Sequence, residues 1–259
     1  MCDLFKADCY RMFHKKWFWL CVLFMTAMSG VFVAIQKTAM DYTVSVDRVL
    51  FLPMSFYGVA AAALVSLFLG EDFSDGFMKN KIIAGKSRRA IYFSSLFVSG
   101  LGCMAVYLLM LTVTVVLGMN LFEVNISIGQ LMEYTVLGLF TCVAYNCLYG
   151  MISMLNGNKT VSVVICMTLS FAMLFLCLHT NQILMQQEFK DGVLNLSYVS
   201  GLKRTVYEFL HDFNPSGQAA QLSSMQCLNA VRYIAVDILW CAISFILGAE
   251  IFKRKDIYN

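Results

Sequence analysis

Long apolar stretches separated by short polar ones run through the whole chain. Predominantly apolar segments occupy residues 17–36, 50–70, 91–119, 131–155, 160–179 and 233–252. A helix needs about 20 such residues to cross a hydrocarbon layer of roughly 30 Å, so the pattern predicts six membrane-spanning helices in an all-α integral membrane protein. Ahead of the first run, Leu4, Phe5, Cys9, Met12, Phe13 and Trp17 fall on one helical stripe, with Asp3, Lys6, Arg11, His14 and Lys15 elsewhere. Residues 1–16 therefore read either as an amphipathic helix in the headgroup plane or as a frayed start to the first span. Their length and acidic content do not fit a cleaved leader, and no small-x-small site follows.

Composition supports lipid as the main solvent: 59% of the 259 residues are hydrophobic, 14% are charged and two are proline. Soluble domains are about half apolar and a quarter charged. The net charge of +3 is too small to imply nucleic acid, and its placement matters more than its size. Thirteen Lys and Arg fall on one side: Lys6, Arg11, Lys15, Lys16, Lys79, Lys81, Lys86, Arg88, Arg89, Lys159, Lys253, Arg254 and Lys255. Six fall on the other: Lys37, Arg48, Lys190, Lys203, Arg204 and Arg232. Positive charge stays cytoplasmic, which predicts both termini inside.

Within the spans, Trp17 and Trp19 form an interfacial pair, residues 60–63 are alanines suited to close helix packing, and residues 156–159 form a tight turn. The cysteines at 21, 103, 142, 147, 166, 177 and 241 lie inside apolar runs without C-x-x-C spacing, and read as small hydrophobes rather than bridges or metal ligands. His14, His179 and His211 have no ligand spacing, and no catalytic constellation stands out. The string ending Gly85-Lys86-Ser87 resembles the end of a phosphate loop, but Asn80 replaces its first glycine and no strand precedes it. Of the ionisable groups near membrane depth, Asp237 and Glu133 are expected to reach the interface or line a substrate path, and Glu250 to pair locally with Lys253 and Arg254.

Residues 71–89 carry the main functional signal. Glu71 and Asp72 open the segment and Lys86, Arg88 and Arg89 close it, an order that suits the dipole of a short helix. Phe73, Phe77, Ile82 and Ile83 supply an apolar face, and Gly85 ends it. Such a helix either docks into a partner's groove or rests on the inner leaflet. The acidic-Phe start, the Gly76-Phe77 step and the basic stretch with Gly85, Ser87 and Arg88 resemble the first cytoplasmic loop of type-two ABC transporter permeases. Residues 214–218, beginning Asn214-Pro215, and the closing basic run through Asp256 are similar to later motifs of that family. Before them, Val206, Phe209, Leu210 and Phe213 recur at helical spacing, stopped by Asn214 and Pro215.

The resemblance implies a single permease domain over residues 1–259, with an interfacial helix at 1–16, a coupling segment at 71–89 and an extracellular segment with short helices at 180–232. It implies a bacterial cell-membrane exporter half, paired with a second permease chain and with two copies of a separate ATP-binding subunit that carries ATP and Mg. No catalytic residue and no cofactor is then expected on this chain. By position, Glu71, Asp72, Phe73, Asp75, Gly76, Phe77, Lys79 and Asn80 would meet the ATPase, with residues 71–81 acting as one rigid lever. Phe209, Phe213, Asn214, Pro215 and Asp237 would belong to the pathway or its outer gate. Aromatic, Met and small residues in the spans favour an amphipathic or hydrophobic substrate, and the family association points to a toxic or antimicrobial peptide. A secondary carrier or channel, or a membrane immunity protein that moves nothing, remain the rival readings.

Overall fold

A computed structural model describes residues 2–39, 45–190, 193–195, 198–225 and 229–255. Asp256, residues 40–44 of the first loop, and the side chains of Asp3 and Leu4 lie outside the described residues. The elements, in order, are α1 (Cys2–His14), α2 (Lys16–Ala39), α3 (Asp47–Leu50), a 3-10 turn (Leu52–Phe56), α4 (Tyr57–Ser74) and α5 (Phe77–Ile83). There follow α6 (Arg88–Leu121), α7 (Ile128–Asn156), α8 (Lys159–Leu184), the short antiparallel pair β1 (Phe189–Lys190) and β2 (Val193–Leu194), α9 (Leu202–Phe213), α10 (Pro215–Ser223) and α11 (Ala230–Arg254). Among the described residues, six helical runs are long and apolar enough to cross a membrane. The chain is a multi-pass, all-α membrane protein.

The expected spans are all present, most of them extended by a few polar residues. The second differs: Pro53 lacks an N–H, and a 3-10 turn occupies residues 52–56, so the regular helix starts at Tyr57. The turn at residues 156–159 forms as expected, with Gly157 in the left-handed region ending α7 and Asn158 capping α8.

Burial separates centre from periphery. In the Asp47–Ser74 run 72% of the most apolar window is buried, against 28% in α2 and α8 and 22% in α11. Thus α4 is central, and the outer helices leave apolar side chains such as Leu23, Phe175 and Ile246 facing outward, as hydrocarbon allows. Tyrosines fill the interior. Tyr57 donates its hydroxyl to the Cys103 carbonyl and Tyr92 to the Ser244 carbonyl, each at 2.8 Å. Glycines at 138 and 248 lie under Tyr107 and Tyr92, where any Cβ would collide with the phenol. The Tyr57 and Tyr92 hydroxyls are thereby satisfied by backbone carbonyls without water.

The first helix departs from a simple lipid-facing stripe. Met12 is buried against Gly102 of α6 and Phe5 packs on Phe97 at 5.6 Å, while Tyr10 and Phe13 are exposed. Part of its apolar side, at Phe5 and Met12, packs on α6, and Phe13 and Trp17 are left outward.

Candidate functional site

The first helix α1, the last turn of α11, the α4–α5 junction and the start of α8 meet at one end of the bundle, hereafter the terminal end. Asp72, in the last turn of α4, is 1% exposed and accepts from Arg11 Nη2 at 2.5 Å and Lys81 Nζ at 3.1 Å. The same two cations reach Asp8 of α1, at 3.2 and 2.9 Å. Beside it, Glu71 accepts from Lys159 at 2.9 Å and from the Trp17 indole N–H at 2.8 Å, and its other oxygen forms an ion pair with Lys15 at 2.7 Å. Carboxylates at a helix C-terminus oppose the helix dipole, and four cations from α1, the α1–α2 link, α5 and α8 offset them. The Arg11 guanidinium also lies over the Phe68 and Phe77 rings, at 5.1 and 4.5 Å.

This geometry corrects the sequence reading in two respects. Glu71 and Asp72 do not open a short helix; they close the long α4, and their oxygens are engaged inside the chain rather than offered outward. Residues 71–81 are not one rod either. Gly76, at φ +73, breaks them into the end of α4 and the seven-residue α5. With no Cβ, Gly76 enters that conformation without steric cost.

What remains outward is compact. Asp75, Phe77, Lys79 and Asn80 are exposed, as is Ile83 at 75%, while Met78 is buried and Phe73 is half-buried against Phe252. A groove of about 460 Å³ separates α1 from α5, lined by Asp8 and Arg11 on one side and Phe77, Asn80 and Lys81 on the other. Gly85, at φ +76, turns the chain into α6, whose first turn is capped by Ser87.

The last span is clamped to this end. Arg88 donates to the backbone carbonyls of Lys253 and Lys255, and Lys255 Nζ donates to the Met154 carbonyl at 3.0 Å while lying over Phe73 at 4.3 Å. Burial lowers the Lys255 ammonium to about 8. Glu250 pairs with Arg89 of α6 rather than with its own neighbours, because the two helices lie side by side there.

At the opposite end, α9 and α10 form a corner that dips into the bundle. Asn214 caps α10, donates to the Met173 carbonyl of α8 at 2.8 Å, and is followed by the buried Pro215. Ser216 meets Tyr145 of α7 at 2.9 Å, and Trp240 of α11 donates to the Phe213 carbonyl at 3.0 Å. Phe209 stacks on Phe213 at 5.6 Å and is 54% exposed. His211 is buried, with Nδ1 at 3.0 Å from Thr180 Oγ1; burial shifts its imidazole below the ordinary value, against the opposing pull of Asp212.

Asp237 is the outlier. The sequence reading favoured a reach to the interface, yet the side chain is 0% exposed and neither carboxylate oxygen has a donor with hydrogen-bonding geometry. Gln218 of α10 is its polar neighbour, and that amide gives its N–H to the Asp212 carbonyl, which leaves its own oxygen unpaired. Glu133, by contrast, is exposed. The charge cluster around Asp8, Arg11, Lys81 and Asp72 escaped the sequence reading, since the members in α1 are about 60 or more positions from those in α4 and α5 and only folding makes them neighbours. Among the described residues no group of His, Cys, Asp and Glu is arranged to hold a metal ion. Compared with models of known protein families the chain matches none, and no curated protein matches it, so the functional reading rests on the residues and their geometry.

Proposed function

We propose that this chain is the membrane-spanning subunit of an ATP-driven exporter of the type-two ABC permease kind. One observation carries the reading: α5 is a short helix with an outward Phe77, Lys79, Asn80 and Ile83, while its Lys81 is moored to Asp8 of α1 and Asp72 of α4. A force applied to α5 from the cytoplasm therefore reaches the N-terminal helix and the central span together through buried ion pairs. In this reading the terminal end faces the cytoplasm, and two copies of a separate subunit bind ATP and Mg. A second permease chain completes the path, and an amphipathic substrate, of which a peptide is the leading case, leaves the cell. Glu71 and Asp72 then act behind the contact surface as anchors, and the groove between α1 and α5 accepts part of the ATPase.

The test is Phe77→Asp in the full chain, purified from native membranes in parallel with the unsubstituted chain. Loss of ATPase co-purification and of ATP-dependent peptide export from vesicles is expected; both unchanged would remove the assignment. A second reading rests on Asp237: a buried carboxylate without a donor is also what a cation-coupled carrier uses. Uptake or efflux driven by an imposed proton or sodium gradient without ATP, and abolished by Asp237→Ala, would favour that carrier instead.

A further inference from the structure

The transport reading leaves the thiols of the bundle unused. Among the described residues eight cysteines are free, and two of them meet: Cys147 of α7 and Cys241 of α11, with their Sγ atoms 3.6 Å apart. The others make different contacts. Cys166 faces the Ser153 hydroxyl at 3.6 Å, and Cys21 points at the Ala60 carbonyl at 3.8 Å.

The pair is held from both sides along the same helix interface. Toward one end Thr141 and Tyr233 share a hydrogen bond of 2.9 Å, and toward the other Met151 packs beside Gly248. A disulfide has its sulfurs about 2.05 Å apart, so the two must approach by roughly 1.5 Å, a distance within side-chain rotation and slight helix movement. The two thiols also differ in access. Cys147 is 1% exposed, whereas Cys241 is half-buried and lies on the same helix side as the outward Ile238 and Phe245. It sits near the middle of α11, so what reaches it comes through hydrocarbon.

We propose that Cys147 and Cys241 form a reversible dithiol–disulfide site that ties α7 to α11, oxidised by a lipid-soluble two-electron acceptor of the quinone or azo class. In the first step the Cys241 thiol adds across the acceptor's double bond, forming a sulfur–acceptor bond and placing its proton on the acceptor. The buried Cys147 sulfur then attacks the Cys241 sulfur. The S–S bond forms, the sulfur–acceptor bond breaks, and the acceptor leaves with two electrons and both thiol hydrogens. Cys241 is the entry thiol and Cys147 the resolving one. Cys241 follows Trp240, which docks on Phe213, and the same helix is held at its end by Arg88, so the bond ties α7 to the span that touches both the α9–α10 corner and the terminal end. The proposal needs neither the ATPase partner nor a direction of transport.

The experiment treats the full chain in native membranes with the azo oxidant diamide, then maps peptides by mass under non-reducing conditions. The dominant cross-link is expected to join the Cys147 and Cys241 peptides, two hydrogens lighter than their sum, and to vanish with dithiothreitol. In Cys147→Ser, Cys241 should instead take up a membrane-permeant maleimide, while in Cys241→Ser the buried Cys147 should stay unlabelled. No cross-link between these two in the unsubstituted chain overturns the proposal, as does one no more abundant than links to Cys142 or Cys103. Equal maleimide labelling of the two single variants overturns the assigned order of reaction.

Discussion

Single residues at the terminal end carry opposed charges in a nearly dry setting, and this makes them costly to change one at a time. Removing one member of a buried ion pair costs about 3–5 kcal/mol, because the partner is left charged and unpaired. Asp72→Ala leaves Arg11 and Lys81 to share Asp8 alone, one buried cation in excess, so a loss approaching that size is expected in chemical unfolding of the purified chain in detergent. Adding Lys81→Met to that variant should recover part of the loss, and additive losses would show that the two residues do not act as a pair. At the far end, His211 gives a pH signature. Its folded-state pKa lies below the unfolded value near 6.5, so on acidification the unfolded chain takes up the proton first. Stability is therefore full above about pH 6.5 and falls as pH drops toward the lower, folded value. Thermal melts from pH 7.5 to 5 should show the decline in the unsubstituted chain and a flatter profile in His211→Gln.

Elements are joined here by positions where a side chain has no room or the backbone needs a left-handed turn. Gly76 sets the angle between α4 and α5 at φ +73, with open space around it, so the obstacle to substitution is conformational alone. Gly76→Ala should cost about 1–2 kcal/mol and weaken ATPase co-purification by turning α5 away from its partner. Retained stability and retained association would together show that the turn angle is immaterial. Gly217 presents the other case. A Cβ there overlaps the His211 carbonyl oxygen, a backbone atom that cannot rotate aside. Gly217→Ala should separate α10 from α9, visible as faster proteolysis between residues 198 and 225 than in Gly129→Ala, whose site is open.

For the whole molecule, sidedness is the claim with the widest consequence. Lys79 and Glu133 are both exposed and lie at opposite ends of the bundle. In a background with the accessible cysteines replaced, Lys79→Cys should react with an impermeant maleimide only after cells are opened, and Glu133→Cys on intact cells. The reverse pattern would place α5 outside and remove any role for a cytosolic ATPase. One helix, α11, touches both regions: Arg88 clamps its end, and its Trp240 docks on Phe213 of the α9–α10 corner.

Much of this architecture was legible in the chain itself. Runs of about 20 apolar residues leave a backbone in lipid no option but the helix, where every N–H finds its own carbonyl. Thus the six spans, the turn at Gly157 and Asn158, and the stop of α9 before Asn214 and Pro215 follow from local chemistry. Only tertiary structure decided which charges are spent inside. Glu71 and Asp72 look like the open end of a surface helix until Arg11, Lys15, Lys81 and Lys159 are brought to them from α1, the link after it, α5 and α8. Asp237 likewise looks free to reach water until α7 and α10 close over it, and Cys147 and Cys241 are 94 residues apart until α7 and α11 pack. The reason is physical: hydrophobic length is a property of consecutive residues, whereas the pairing of a charge or a thiol depends on which helix faces meet.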